Sequence, residues 1–205
     1  MDLFTDDHSP GSDSIELLRG DSSAVLYSRA IATGDAARHM EELLHAVPWQ
    51  QRQVTVFGKQ HPQPRLVAWF GEPETTYTYA GLTLEPLSWT PAILELKRTC
   101  DELANTVFNS VLLNLYRDGE DTVGWHSDDE PELGTDPVIA SVTLGATRRF
   151  DFRHKRTRET IKALLPAGSI LVMSGRTQED WSHQLPRTKK VGAPRINLTF
   201  RRIHR

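Results

Sequence analysis

From residue 111 onward the chain breaks into short β-type runs, with Gly or Pro in most of the gaps: 111–117, 138–144, 148–154, 169–174, 181–185 and 195–201. Their alternation is unusual. In RINLTFR at 195–201, Ile196, Leu198 and Phe200 point one way, and Arg195, Asn197, Thr199 and Arg201 point the other. Asn114 and Tyr116 share a face of 111–117, and Trp181, His183 and Leu185 share a face of 181–185. A polar face on a strand usually meets solvent. It can equally line the inside of a barrel, which is what a buried polar site requires.

The first half adds two more strand runs, 53–58 and 65–70, and two helices. Asp35 can cap a helix running to about Val47, with Ala36, Met40, Leu43, Leu44 and Val47 on one face and Pro48 ending it. Thr90 and Pro91 start a second helix with a stripe of Ile93, Leu96, Cys100, Leu103, Ala104 and Val107. Many closely spaced strands, with helices confined to the first half, predict an α+β fold. The expected form is a double-stranded β-helix, or jelly roll, buttressed by the N-terminal-half helices.

At 205 residues the chain has room for one domain, expected over 15–205, with an acidic, disordered tail at 1–14. There is no apolar run of about 20 residues and no secretory signal or Arg-rich transit segment, so a cytoplasmic protein is expected, or a nuclear one in a eukaryote. The single cysteine, Cys100, excludes an intrachain disulfide and a cysteine metal cluster, and its apolar surroundings read as core. Net charge is −3, yet positive charge gathers at Arg148 and Arg149, at 153–158, from Arg187 to Lys190 and at 201–205. Such clusters make a local phosphate-binding surface or simply solvated strand ends.

His126 and Asp128 are two apart, so on an extended segment they reach the same ion. His183 offers a second imidazole. Two histidines and one carboxylate leave three octahedral positions open, the arrangement of non-haem Fe(II) oxygenases. Zinc would need a fourth ligand to close a structural tetrahedron, and none is well placed. Alone, the H-x-D spacing is weak. It gains weight from Arg195, Asn197, Thr199 and Arg201, which suit a small dicarboxylate, with Asn114 and Tyr116 as further hydrogen-bonding groups. The plainer reading is a surface strand with solvated arginines.

These segments resemble the AlkB family of oxidative nucleic-acid dealkylases: NLYRDGEDTVGWHSDDEPELG at 114–134, IASVTLGATRRFDFRHK at 139–155, GSILVMSGRTQEDWSHQLP at 168–186 and PRINLTFR at 194–201. PRLVAWFG at 64–71 and YTYAG at 77–81 are also similar, and VFGKQHPQPR at 56–65 is similar to the finger region of the human family member that prefers double-stranded DNA. The resemblance runs from about residue 50 to residue 201.

The resemblance implies Fe(II) on His126, Asp128 and His183, and 2-oxoglutarate on Asn114, Tyr116, Arg195, Asn197 and Arg201, with Arg195 at the distal carboxylate and Thr199 in support. O2 is the second cosubstrate. A nucleotide-recognition region at about 50–82 would supply Tyr77 and Tyr79 to the flipped base, while Asp129 would read the base's exocyclic group and Glu130 would be a further substrate contact. Phe57, a large apolar residue beside Gly58 where a hairpin could turn, is read from its local sequence as a duplex-opening wedge. The implied partner is alkylated DNA, single- or double-stranded, with RNA as the alternative, and the implied enzyme is a monomer. The plainer readings are strand core for Tyr77, Tyr79 and Phe57, and a solvated turn acid for Asp129. Trp125 and Trp181 read as packing residues, His154 as a surface or phosphate-contacting residue, and His39 as ordinary. A non-catalytic jelly-roll binding module is the alternative to an enzyme.

Overall fold

In the computed structural model, residues 14–56, 59–75, 77–79 and 82–204 are described. The alternation in β15 (Arg195–Arg201) explains the architecture. All seven of its residues are buried, so both faces are covered. Ile196, Leu198 and Phe200 enter a core shared with Leu43, Ile93, Leu96 and Cys100 of the helices. The opposite face looks into the space between two sheets, so the surface-strand reading of these arginines is overturned.

The larger sheet has seven strands in the order β1 (Ser14–Leu18), β2 (Ser22–Tyr27), β13 (Ile170–Gly175), β10 (Ile139–Gly145), β15, β8 (Ser110–Tyr116) and β5 (Leu66–Gly71). The smaller sheet runs β12 (Thr160–Leu165), β11 (Arg148–His154), β14 (Trp181–Leu185) and β9 (Val123–His126). A second core, including Leu26, Ile139, Phe150, Phe152, Leu171, Met173 and Trp181, joins them. This is the expected jelly roll: two antiparallel sheets face to face, with a polar compartment between them. Two hairpins stand apart, β3 (Gln53–Val56) with β4 (Lys59–Pro62), and β6 (Tyr77–Tyr79) with β7 (Leu82–Leu84).

Helix α1 (Thr33–Ala46) and helix α2 (Pro91–Ala104) cover the outer face of the larger sheet, as expected. α2 starts as predicted: the Thr90 side chain accepts the Ile93 N–H, and Pro91 takes the first helical position. It stops earlier than predicted. Asn105 turns into the left-handed region at φ 46°, and Val107 lies beyond the end, 61% exposed. α1 begins two residues before Asp35, which is therefore no cap; it sits in the first turn and pairs with Arg38 at 3.2 Å. His39, read as ordinary, is buried between the helices, 3.3 Å from Glu95.

The short turn α3 (Thr177–Asp180) falls in the second half, outside the expected placement of helices. β1 begins at Ser14, at the edge of the region read as a tail, and β1, β2, β4, β7, β9 and β12 were not predicted. Among the described residues no helix is long and apolar enough to cross a membrane. Phe57, the proposed wedge, lies outside the described residues.

Candidate metal and cosubstrate site

The site lies where β8, β15 and β10 of the larger sheet face β9 and β14 of the smaller one. Antiparallel register sets Arg195 opposite Tyr116 and Asn197 opposite Asn114, so alternate residues of two strands meet on one inner wall. From the other side, β14 pairs with β9 with His183 directly opposite His126. One pocket is therefore lined by His126, Asp128 and His183 together with Asn114, Tyr116, Arg195, Asn197, Thr199 and Arg201. Nine side chains from distant parts of the sequence converge there.

Ligand atoms of His126, Asp128 and His183 all lie within 4.8 Å of one another, a spacing suited to one ion. The two imidazole rings sit 4.3 Å apart, centroid to centroid. His126 Nδ1 lies 2.8 Å from the Gly124 carbonyl, which can only accept. Nδ1 therefore carries the proton, and the Nε2 lone pair is left for a metal. Burial, together with the charge of His126, pushes the His183 pKa down to about 3. The ring is neutral at physiological pH, the form a metal requires. Phe150 stacks on it at 5.2 Å and limits its rotation.

Asp128 is buried, which favours its neutral form, but Arg201 and the two histidines reverse this and hold the carboxyl below its usual range. Arg201 Nη2 donates to Asp128 Oδ1 at 2.6 Å, while Oδ2 faces His183 Nε2 at 4.0 Å.

The dicarboxylate end is built around Arg195, which is 2% exposed. Its Nη2 donates to Thr143 Oγ1 at 2.8 Å, its guanidinium lies 5.4 Å from the Tyr116 ring centroid, and its Nε has no hydrogen-bond partner. Burial pushes even this guanidinium down to about 10. A buried cation that lines the pocket and keeps an unsatisfied N–H fits an anionic ligand. The donor set as a whole fits Fe(II) with 2-oxoglutarate: a mixed nitrogen and oxygen triad beside a cationic wall.

Two pocket residues are also engaged by neighbouring protein groups. Asn197 Nδ2 donates to Ser141 Oγ at 2.7 Å and to the Val142 carbonyl at 3.1 Å, and its Oδ1 accepts from Thr199 at 3.1 Å. Its amide hydrogens are thus both engaged within the protein. Asn114 Oδ1 accepts from Arg65 Nε at 2.8 Å, which turns the Asn114 NH2 the other way. Sequence reasoning missed Arg65, although it stands in the quoted segment at 64–71, just ahead of an apolar strand. It also missed Gln178, whose Oε1 accepts the Asp128 backbone N–H at 3.0 Å, and no sequence signal marked it.

Asp129 and Glu130 follow the metal ligand but do not line the pocket. The Asp129 carboxylate is exposed, 3.8 Å from Lys155 Nζ; Glu130 leads into a short 3-10 turn, Pro131–Leu133. Tyr77 and Tyr79 lie in β6, and their side chains lie outside the described residues.

The basic clusters divide. Arg148, grouped by sequence with a phosphate surface, is instead 1% exposed and donates to the carbonyls of Asp118, Gly119, Asp121 and Pro186. It is a staple between two loops. Arg153 lies over the Trp125 ring at 3.8 Å, and Lys155, Arg156 and Arg158 are exposed. His154 Nδ1 accepts the N–H of Arg156 and of Thr157, and its ring packs edge-on against Trp181.

Comparison with known proteins agrees with this geometry. A family model described as the 2OG-Fe(II) oxygenase superfamily matches residues 23–201. The chain is 42% identical over 195 residues to human alpha-ketoglutarate-dependent dioxygenase alkB homolog 3, covering 90% of this chain and 68% of that protein. It is 40% identical over 190 residues to the human DNA oxidative demethylase ALKBH2, covering 89% and 72%. The solved structure of OsALKBH1 superposes with a TM-score of 0.62 at 16% identity, over 90% of this chain and 98% of that one, a likeness of fold. The chain belongs to the 2OG-Fe(II) oxygenase superfamily, and within it to the AlkB family.

Proposed function

We propose that the protein is an oxidative dealkylase of nucleic-acid bases, repairing N-alkylated bases such as N1-alkyl adenine and N3-alkyl cytosine in DNA. The observation that carries this reading is the single pocket that joins a two-histidine, one-carboxylate triad to a buried, anion-seeking arginine. Relatives named for DNA demethylation, at 40–45% identity, supply the substrate class. The intact pocket argues against a non-catalytic binding module.

In this reading His126, Asp128 and His183 hold Fe(II), which with bound 2-oxoglutarate and O2 supplies oxidation of the N-alkyl carbon, yielding succinate, CO2, an aldehyde and the repaired base. The protein's own work is placement. Arg201 holds one Asp128 oxygen and leaves the other toward the histidines. Arg195 binds the distal carboxylate of the cosubstrate, with Tyr116 and the Asn114 amide beside it; Thr199 and Asn197 brace that wall. The neutral His183 keeps its lone pair available.

A base must leave the duplex to reach this pocket. The region at about 50–82 is assigned to that step, with Tyr77 and Tyr79 against the flipped base and Phe57 as the wedge. Asp129 and Glu130 meet the base edge, and a carboxylate there favours a cationic alkylated base over a neutral one. Residues 15–205 are assigned to one domain, with residues 1–14 as a tail, and the enzyme is assigned as a monomer. It works in the cytoplasm, or in the nucleus of a eukaryote.

The test is succinate release and loss of the methyl group on matched oligonucleotides carrying one N1-methyladenine, as single- and double-stranded DNA and as RNA. Methyl removal from DNA is expected. Removal from RNA alone would move the substrate to RNA, and 2-oxoglutarate turnover without methyl loss from any of them would overturn the reading.

A further inference from the structure

We propose that Gln178 is a positioning residue that fixes Asp128 for metal binding. This rests on Asp128 being a metal ligand. Gln178 lies in α3, the single turn between β13, which carries Met173 of the pocket wall, and β14, which carries His183. It is 1% exposed. Its Oε1 accepts the Asp128 N–H at 3.0 Å, and its Nε2 faces Met173 Sδ at 3.6 Å. A backbone N–H can only donate, so the amide orientation is determined: oxygen toward the metal segment, NH2 toward the weakly accepting sulfur. Asp128 is thus held at two points, by Gln178 at its backbone and by Arg201 at its carboxylate.

The turn that carries Gln178 is itself tied down away from the pocket. Thr177 Oγ1 accepts the Ser23 N–H at 3.0 Å, and the Arg176 N–H donates to the Asp21 carbonyl at 2.9 Å. Gly175, at φ +58°, lies so close to that carbonyl that a side chain would collide with it. On the other side, Ser127 Oγ donates to the Trp181 carbonyl at 3.0 Å, and Lys155 Nζ donates to the Gln178 carbonyl at 2.8 Å. The metal segment at 127–128 is therefore held to a rigid turn. Gln178 is not in the triad, so its effect on the metal passes through Asp128.

The experiment measures the dissociation constant for Mn(II), a redox-inert probe, from the electron paramagnetic resonance of free Mn(II), alongside thermal melts. Gln178→Met removes the acceptor at similar volume and is expected to weaken Mn(II) binding about 10- to 100-fold, the usual effect of losing a contact that orients a ligand. Gln178→Glu keeps an acceptor and is expected to stay near the wild-type constant. If Gln178→Met does not fold, Gln178→Asn carries the same expectation, because it is one methylene too short to reach. Asp128→Ala separates the two assignments. If it binds Mn(II) as tightly as wild type, the ligand assignment fails and the proposal falls with it. If it loses Mn(II) while Gln178→Met keeps the wild-type constant, with or without a lower melting temperature, Gln178 only packs and the proposal alone is overturned. Equal weakening in Gln178→Met and Gln178→Glu overturns it as well.

Discussion

Replacing Arg195 with Met removes the buried cation of the pocket while keeping most of its volume. In the protein that cation is 2% exposed, its Nε lacks a partner, and the charged or ionisable groups acting on it are Tyr116 and Arg148, neither of them a carboxylate. It therefore costs stability in the free protein and becomes favourable once an anion pairs with it. A hydrogen bond to a charged group contributes roughly 1.5–3 kcal/mol net, which at about 1.36 kcal/mol per tenfold is about 10- to 150-fold in affinity for 2-oxoglutarate. The same argument gives the free variant a melting temperature equal to or above that of wild type. Arg195→Lys should fall between, because a point charge replaces a two-pronged donor. Anaerobic calorimetry with Mn(II) and 2-oxoglutarate measures the first effect, and a melt of the free protein measures the second. An unchanged 2-oxoglutarate affinity would refute the assignment of Arg195 to the distal carboxylate, and a strongly lowered melting temperature would refute the claim that its charge is a cost.

Three further changes test the frame around the site. Arg148→Met leaves the carbonyls of Asp118, Gly119, Asp121 and Pro186 without their buried donor, and should cost about 3 kcal/mol or more in urea unfolding; a near-neutral result would contradict the staple. Thr90→Ala removes the cap of α2 and should cost about 1 kcal/mol with unchanged activity per folded molecule. Burial, then the charge of Arg38, lowers the His39 pKa, so the unfolded chain takes up that proton first. Stability from this group is complete above about pH 6.5 and falls as the pH drops below it. His39→Gln should remove that part of the acid loss, and an identical pH profile in the variant would contradict it.

The inner wall was legible because strand period and chemistry coincide in β15. A strand that alternates Ile, Leu and Phe with Arg, Asn, Thr and Arg can bury both faces only if one holds a polar ligand. The triad was legible from H-x-D and a second histidine in a strand. What the alternation lacked was depth. Arg148 and Arg149 are adjacent arginines in one strand, yet the pleat sends the first inward to four carbonyls and the second outward to Asp151. β1 and β2 escaped because they gain their stability from tertiary pairing, β2 lying against β13 over six register pairs, and not from a strong local pattern. Gln178 escaped for a similar reason: its importance lies in a contact to Asp128 fifty residues away.

The central claim is that one iron held by His126, Asp128 and His183 couples 2-oxoglutarate oxidation to removal of an alkyl group. The most direct measurement counts succinate released against methyl groups lost from N1-methyladenine DNA, for the wild type and for His183→Ala, with and without added Fe(II). The expected result is one succinate per methyl group in the iron-loaded wild type, and neither product from the folded variant or without iron. Methyl loss by His183→Ala at the wild-type rate, or in the absence of iron or 2-oxoglutarate, would contradict the account.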